Sequence, residues 1–109
     1  MTRGQNESAE GPITVLIDQD LEKIVPGFLE NRRGDVNTLE RALKENDLRA
    51  IHLIGHRLKG DGGGYGFDAI SAIGGVLEQA AAREDRAVIR RQIAELVDYL
   101  ARVTVVYRK

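Results

Sequence analysis

The sequence predicts an all-α fold, an antiparallel four-helix bundle with a short extra helix at its N-terminal end. Apolar residues recur at helical spacing in four successive stretches, and the connections between the stretches are short. Only one short run favours a strand, and nothing nearby in the sequence can pair with it. The chain has 109 residues, 42% of them hydrophobic, which suffices for one modest core and one domain over residues 13–109.

The segment that precedes the helices is expected to add little to the core. Residues 1–12 are polar and small, so they predict a flexible leader. Residues 13–17 (ITVLI) are rich in β-branched side chains, and we expect an extended apolar segment packed on the domain. This segment should lead into a short helix over 18–25, capped by Asp18 or Asp20.

Start and stop signals then divide the chain into four long helices. Pro26 suits the first turn of a helix, and Asn46 followed by Asp47 indicates a stop and a new N-cap. Asp85 caps the last helix, whose β-branched final turn is expected to fray. The predicted helices span 26–45, about 47–63, 67–83, and the stretch that follows Asp85 as far as Tyr107.

Composition excludes several classes of protein. Sixteen Lys and Arg nearly balance 17 Asp and Glu, for a net charge of −1, which argues against a nucleic-acid binder and against a polybasic membrane anchor. The absence of cysteine excludes disulfides, Cys-based zinc sites and thiol nucleophiles. No apolar run approaches the roughly 18 residues of a membrane span, and the N-terminus has no secretory signal. We therefore expect a cytoplasmic module that works with a partner.

The helix over 47–63 and the residues just after it have one polar face that carries a histidine. On a helical projection, Ile51, Ile54, Leu58 and Tyr65 cluster within a sector of roughly 60°, which predicts the core face. His56 falls almost opposite the centre of this sector. The imidazole is therefore expected to be exposed to solvent.

The neighbours of this histidine are unusual. Lys59 and Gly60 follow His56 by three and four residues and so lie beside it, with Gly63 one turn further on. Eight of the 12 glycines fall between residues 55 and 75, and each glycine within a helix costs about 1 kcal/mol relative to alanine. One use for such glycines is a low surface that a partner's backbone can approach. An exposed imidazole, an ammonium group and a low surface predict a histidine that carries a transient anion.

Two other kinds of site were weighed. His52 and His56 have the i, i+4 spacing of metal ligands, but a zinc site needs a third ligand and normally a fourth, so we expect no metal. His52, which like Arg49 flanks His56, is expected to tune the imidazole or touch the partner. A phosphate-binding loop is rejected because Lys59 precedes the glycines and no strand leads into them.

The motif HRLKG at 56–60, followed by Gly66, resembles the core of the histidine-containing phosphotransfer (HPt) domain family. The segment LEQAA at 77–81 is similar to the family's next helix, and the resemblance covers roughly residues 18–100. The resemblance implies a four-helix bundle with no catalytic machinery and no cofactor of its own. It implies phosphoryl transfer between a histidine kinase or receiver domain and an aspartate of a response-regulator receiver domain, with Mg²⁺ on the receiver.

The resemblance also implies roles for individual residues. His56 is the phosphoacceptor, Lys59 steadies the phosphoryl charge, and Gly60 leaves room for the receiver's loops. Arg57 replaces a common small polar residue and is expected to add positive charge beside the phosphoryl group.

Three features depart from the family pattern. Glu78 stands where many members carry a Gln or another polar group that orients the imidazole, and Gln79 is the alternative for that role. Asp61 replaces a small residue. The glycines at 62–64 are expected to loosen the end of the helix or to break it near Gly64.

The main rival is a helical scaffold or receiver-binding module that carries no phosphate. A carrier needs His56, whereas a scaffold does not. Ile70 is one candidate for the apolar docking patch beside the histidine. We expect a monomer, because the apolar stripes are accounted for within one bundle.

Overall fold

The computed structural model describes residues 11–109, which form a bundle of four helices with one pair of strands. The elements in chain order are β1 (Ile13–Asp18), a 3₁₀ turn (Gln19–Leu21), α1 (Val25–Lys44), α2 (Leu48–Tyr65), α3 (Asp68–Ala82), α4 (Arg86–Arg102) and β2 (Val103–Arg108). The predicted helical bundle is confirmed. Except for Gly11 and Pro12, the expected leader lies outside the described residues. Within 11–109, no helix combines the length and the apolar character that a membrane crossing requires.

Two of the predicted helix starts, at Asp47 and Asp85, are confirmed by capping bonds. The Asp47 carboxylate accepts a hydrogen bond from the Ala50 amide at 3.1 Å, and the Asp85 carboxylate accepts one from the Val88 amide at 3.2 Å. These bonds satisfy amides that have no partner within the helix. Asn46 lies in the left-handed region with φ 59°, which ends α1 and lets the chain turn sharply into α2.

The strand pair corrects three expectations at the chain's two ends. Residues 13–17 were expected to be extended but unpaired, whereas β1 pairs in parallel with β2, from Ile13 beside Val103 to Asp18 beside Arg108. The fraying final turn of the last helix is instead β2. The short helix over 18–25 is only a 3₁₀ turn, in which the Asp18 carboxylate accepts from the Asp20 amide at 2.8 Å.

One apolar core fills the bundle, and the helix projection correctly identified the face of α2 that is buried in it. Ile51, Ile54 and Leu58 are buried as predicted. Tyr65 is half-buried and stacks on Phe28 of α1, with the ring centroids 4.3 Å apart. The described core also includes large side chains from every other helix, among them Leu39, Ile70, Leu77, Ile89 and Leu96.

Helices α2 and α3 touch through their backbones at three glycines. A Cβ added at Gly74 lies 2.5 Å from the Lys59 nitrogen, and one at Gly55 lies 2.7 Å from the Glu78 nitrogen. A Cβ added at Gly62 lies 2.6 Å from the Ser71 nitrogen. Real Cβ atoms do not come this close to backbone atoms, so only glycine permits this packing.

The glycines therefore divide into two groups with different roles. We expected Gly62 to lower an exposed surface, and this was wrong because Gly62 is buried against α3. A Cβ at Gly60 or Gly64 meets nothing within 4 Å, so these two positions do keep the surface low. The helix does not break near Gly64: α2 runs to Tyr65 and ends at Gly66, which has φ 89°.

We predict that Gly74→Ala and Gly60→Ala change stability in opposite directions. The Gly74 change forces two backbones apart and should lower the free energy of unfolding by about 2 kcal/mol or more. The Gly60 change adds an unhindered methyl group and should raise that free energy by about 0.5–1 kcal/mol. Urea denaturation followed by circular dichroism measures both. Equal stability of the two variants would contradict the backbone contact.

Candidate functional site

The candidate site is centred on His56, in the middle of α2. Its side chain is 68% exposed, as the helix projection predicted, and it stands on the side of α2 away from the buried isoleucines. The imidazole Nδ1 lies 2.9 Å from Oε2 of Glu78, which belongs to α3. The ring is therefore both accessible to solvent and held in orientation from one side.

Glu78 also binds a second cationic group. Its other oxygen, Oε1, lies 3.0 Å from the Nζ atom of Lys59, so one carboxylate bridges the histidine and the lysine. The backbone contact between Gly55 and Gly74 explains why Glu78 of α3 can reach these side chains of α2. Glu78 is one turn beyond Gly74, and His56 directly follows Gly55. The Ser71 hydroxyl donates to the Lys59 carbonyl at 2.7 Å and ties the same two helices together.

The bridging carboxylate determines which nitrogen of the ring is free. The Lys59 ammonium, followed by the hydrogen bond with His56, holds the pKa of Glu78 below its usual value, so Glu78 is ionised at neutral pH. An ionised carboxylate accepts hydrogen bonds and cannot donate them. Nδ1 of the neutral ring must therefore carry the proton, which leaves Nε2 with a lone pair on an exposed side chain.

The structure places Glu78, rather than Gln79, against the imidazole. Gln79 is exposed on the next position of α3, and in the described residues no hydrogen bond joins its side chain to His56. The sequence left this choice open because the rotation of α3 about its axis decides it. The structure thus brings His56, Lys59 and Glu78 into one cluster.

Two charged neighbours on α2 are directed towards α1 instead. The Arg57 Nη2 atom lies 3.3 Å from the Asp35 carboxylate, and Asp61 lies 3.7 Å from the Arg32 guanidinium. In this structure the Arg57 guanidinium contacts Asp35 and not His56, and its expected place beside the phosphoryl group stays a prediction. Arg57 lies about 100° around the helix from His56, which is enough to turn its side chain to the neighbouring helix.

The surface around His56 is low on one side and apolar on the other. Gly60 and Gly63 are exposed on the C-terminal side. On the N-terminal side, half-buried His52 lines a shallow groove together with Leu53 and Ala82. In residues 11–109, no group of three or more His, Cys, Asp or Glu side chains is placed to hold a metal ion.

The prediction that Ile70 belongs to the docking patch is wrong, because Ile70 is fully buried. Leu53, which sequence reasoning did not single out, is 56% exposed and lies three residues before His56 on the same side of α2. An apolar residue within the polar sector of the projection was the signal that could have identified it.

The fold and the site together define a small helical module with an exposed histidine that contacts a carboxylate. Residues 23–104 match the family model of the Hpt domain, and the chain therefore belongs to the Hpt domain family. Family membership implies phosphotransfer in two-component phosphorelays, and Hpt domains are phosphotransfer carriers that interact with kinases and receiver domains. No curated protein and no solved structure matches the chain.

We predict that Lys59→Met raises the pKa of Glu78 more than His56→Ala does, because the lysine contact lowers this pKa most. The folded-state pKa lies below the unfolded one, so the interaction stabilises the fold above the unfolded pKa. That contribution is lost as pH falls through the folded pKa. Carboxyl ¹³C NMR of Glu78 as a function of pH measures the shift. An unchanged Glu78 pKa in Lys59→Met would show that the ion pair does not form in solution.

Proposed function

We propose that the chain is a phosphorelay carrier in which Nε2 of His56 accepts the phosphoryl group. The observation that carries this proposal is the hydrogen bond from Nδ1 to Glu78 on an exposed ring, because it leaves Nε2 unprotonated and free to react. The position of His56 in the HRLKG motif, within the matched Hpt segment, supports the same assignment.

The transfer step follows from this arrangement. The Nε2 lone pair attacks the phosphorus of a phosphodonor, the N–P bond forms, and the bond from phosphorus to the donor oxygen or nitrogen breaks. With a receiver as donor, the aspartate carboxylate is the leaving group. The Nδ1 proton stays in place, and the Glu78 carboxylate balances the positive charge that develops on the ring. Attack by a receiver aspartate on phosphohistidine reverses the step.

Lys59 has two roles in this proposal. Before transfer, its ammonium neutralises the Glu78 carboxylate at 3.0 Å. After transfer, the half-exposed Lys59 side chain turns towards the phosphoryl oxygens and offsets their negative charge. The chain would otherwise hold a carboxylate and a phosphoryl group close together with no cation between them.

The partner is proposed to dock over the face that surrounds His56. Gly60 and Gly63 leave room for the loops of a receiver domain, and His52 and Leu53 border the histidine on the other side. Gln79 and Arg57 lie at the margins of this face as further contacts.

The chemistry proposed for the chain needs no metal or cofactor held by its own residues. Mg²⁺ is assigned to the receiver, which must stabilise the phosphoryl group on its own aspartate, and a histidine kinase is the other partner. Connections of two or three residues (45–47, 66–67 and 83–85) support antiparallel packing of successive helices. The location proposed for the carrier is the cytoplasm.

We predict that the wild-type chain gains one phosphate from phosphoramidate or a phosphorylated receiver and that His56→Gln gains none. The adduct is about 80 Da and labile to acid, as expected of phosphohistidine. Intact mass at neutral to alkaline pH measures it, and His52→Gln is the matched control that should still be modified. Because His56 lies outside the core, His56→Gln should unfold like the wild type. An unmodified wild type with several authentic receivers would favour the scaffold function.

We also predict that Glu78 acts by fixing the tautomer of the imidazole. Glu78→Ala removes a hydrogen bond of about 1 kcal/mol and should slow phosphorylation about fivefold to tenfold. Glu78→Gln keeps an oxygen that accepts from Nδ1 and should retain most of the rate. Imidazole ¹⁵N NMR reports the tautomer directly. If Glu78→Ala still carries its proton mainly on Nδ1, the carboxylate does not set the tautomer.

A further inference from the structure

A second surface feature lies away from the histidine, in the groove between α1 and α4. The groove contains a hollow of about 600 Å³ whose apolar lining includes Leu43, Ile93 and Val97. A neighbouring hollow of about 210 Å³ continues it past Val36 and Leu100. Val97 lines both hollows and is 44% exposed.

Charged residues flank this groove in a regular order along α4. Arg90 and Asp98 both line the larger hollow, and each is four residues from Ala94, which lines it too. Residues at i, i+4 and i+8 lie on one face of a helix, so a basic, a small and an acidic residue follow one another along this face. The spacing between the two charges is about 12 Å along the helix axis. The Asp98 carboxylate binds Arg102 of its own helix at 2.8 Å, yet the Asp98 side chain is still 46% exposed and open to a further cation.

We propose that a second copy of the chain docks on this groove. The two α4 helices run antiparallel about a two-fold axis that passes beside Ala94 of each copy. This symmetry brings Arg90 level with Asp98 of the second copy, and Asp98 level with Arg90 of the second copy. Val97 of each copy then enters the apolar groove of the other.

The order of the charges favours a second copy over an unrelated partner. A two-fold interface brings the same patch of both subunits together, so it is stable only when that patch complements itself. Arg90 and Asp98 satisfy this condition, because a two-fold rotation about Ala94 exchanges their positions with opposite sign. Ala94 is small enough for the helices to come close at the axis.

The dimer leaves the phosphotransfer face free. His56 lies where α2 meets α3, whereas the groove lies between α1 and α4. Each copy therefore presents its own histidine to a receiver. The inference does not rest on the function of His56, and it revises the monomer expected from the sequence, because Val97 is not covered within one bundle.

Sedimentation equilibrium of the full chain from micromolar to millimolar concentration tests the proposal. The wild type should dimerise with increasing concentration. Arg90→Glu and Asp98→Lys each place like charges level with one another across the axis, and each should raise the dimer Kd about tenfold or more. Arg83→Glu and Glu22→Lys make matched charge changes at exposed positions away from the groove and should leave the Kd within about twofold.

Mixing the two groove variants decides between this geometry and any other. In a mixed dimer, the glutamate introduced by Arg90→Glu lies level with the lysine introduced by Asp98→Lys in the other copy. The unchanged Arg90 and the unchanged Asp98 also lie level with each other. The mixture should therefore dimerise when neither variant does so alone.

Two controls accompany the mixing experiment. Circular dichroism checks that both variants are folded, and phosphorylation of His56 should be unchanged in both. A wild type that stays monomeric at millimolar concentration, or a mixture that does not associate, would overturn the proposal.

Discussion

The direct contact between the backbones of α2 and α3 is the constraint on which the site depends. A Cβ added at Gly55 would lie 2.8 Å from the Gly74 carbonyl oxygen, and one added at Gly74 would lie 2.7 Å from the Gly55 carbonyl oxygen. Side chains at these positions would hold the helices further apart, and the Glu78 carboxylate would no longer lie within hydrogen-bond distance of the imidazole. The glycines thus place the Glu78 carboxylate beside the histidine, at a cost in helix propensity. The glycines therefore determine both how α2 packs on α3 and what surrounds the His56 imidazole.

The cluster at His56 is balanced in charge before any reaction. One carboxylate lies between one ammonium group and one imidazole, and the two contacts of 3.0 and 2.9 Å use different oxygens of Glu78. The shared carboxylate keeps the proton on Nδ1, and the lysine holds the pKa of that carboxylate below its usual value. A glutamine at position 78 would orient the ring without adding charge. Glutamate orients it and also attracts a cation, and the Lys59 ammonium occupies that place at 3.0 Å.

Local patterns predicted the helices, the capping residues Asp47 and Asp85, the core face of α2 and the exposure of His56, because each depends on residues within a few turns. Features that depend on distant neighbours were missed. The strand β1 pairs with residues near the other end of the chain, which no local pattern can reveal. The helical projection puts Gly62 on the same side as Leu58 and Gly60 on the opposite side, but a residue without a side chain adds nothing to the apolar pattern, so the contact of Gly62 with α3 was missed. The choice between Glu78 and Gln79 required the rotation of α3.

The parallel pairing of β1 and β2 has a mechanical consequence. The N-terminal end of β1, at Ile13, and the C-terminal end of β2, at Arg108, lie at opposite ends of the strand pair. Tension applied between these two ends is directed along the strands and shears the interstrand hydrogen bonds. Such bonds carry the load together instead of opening one after another. The short sheet should therefore resist stretching of the domain along the strands. The helices that hold the histidine site lie between its two strands in the chain.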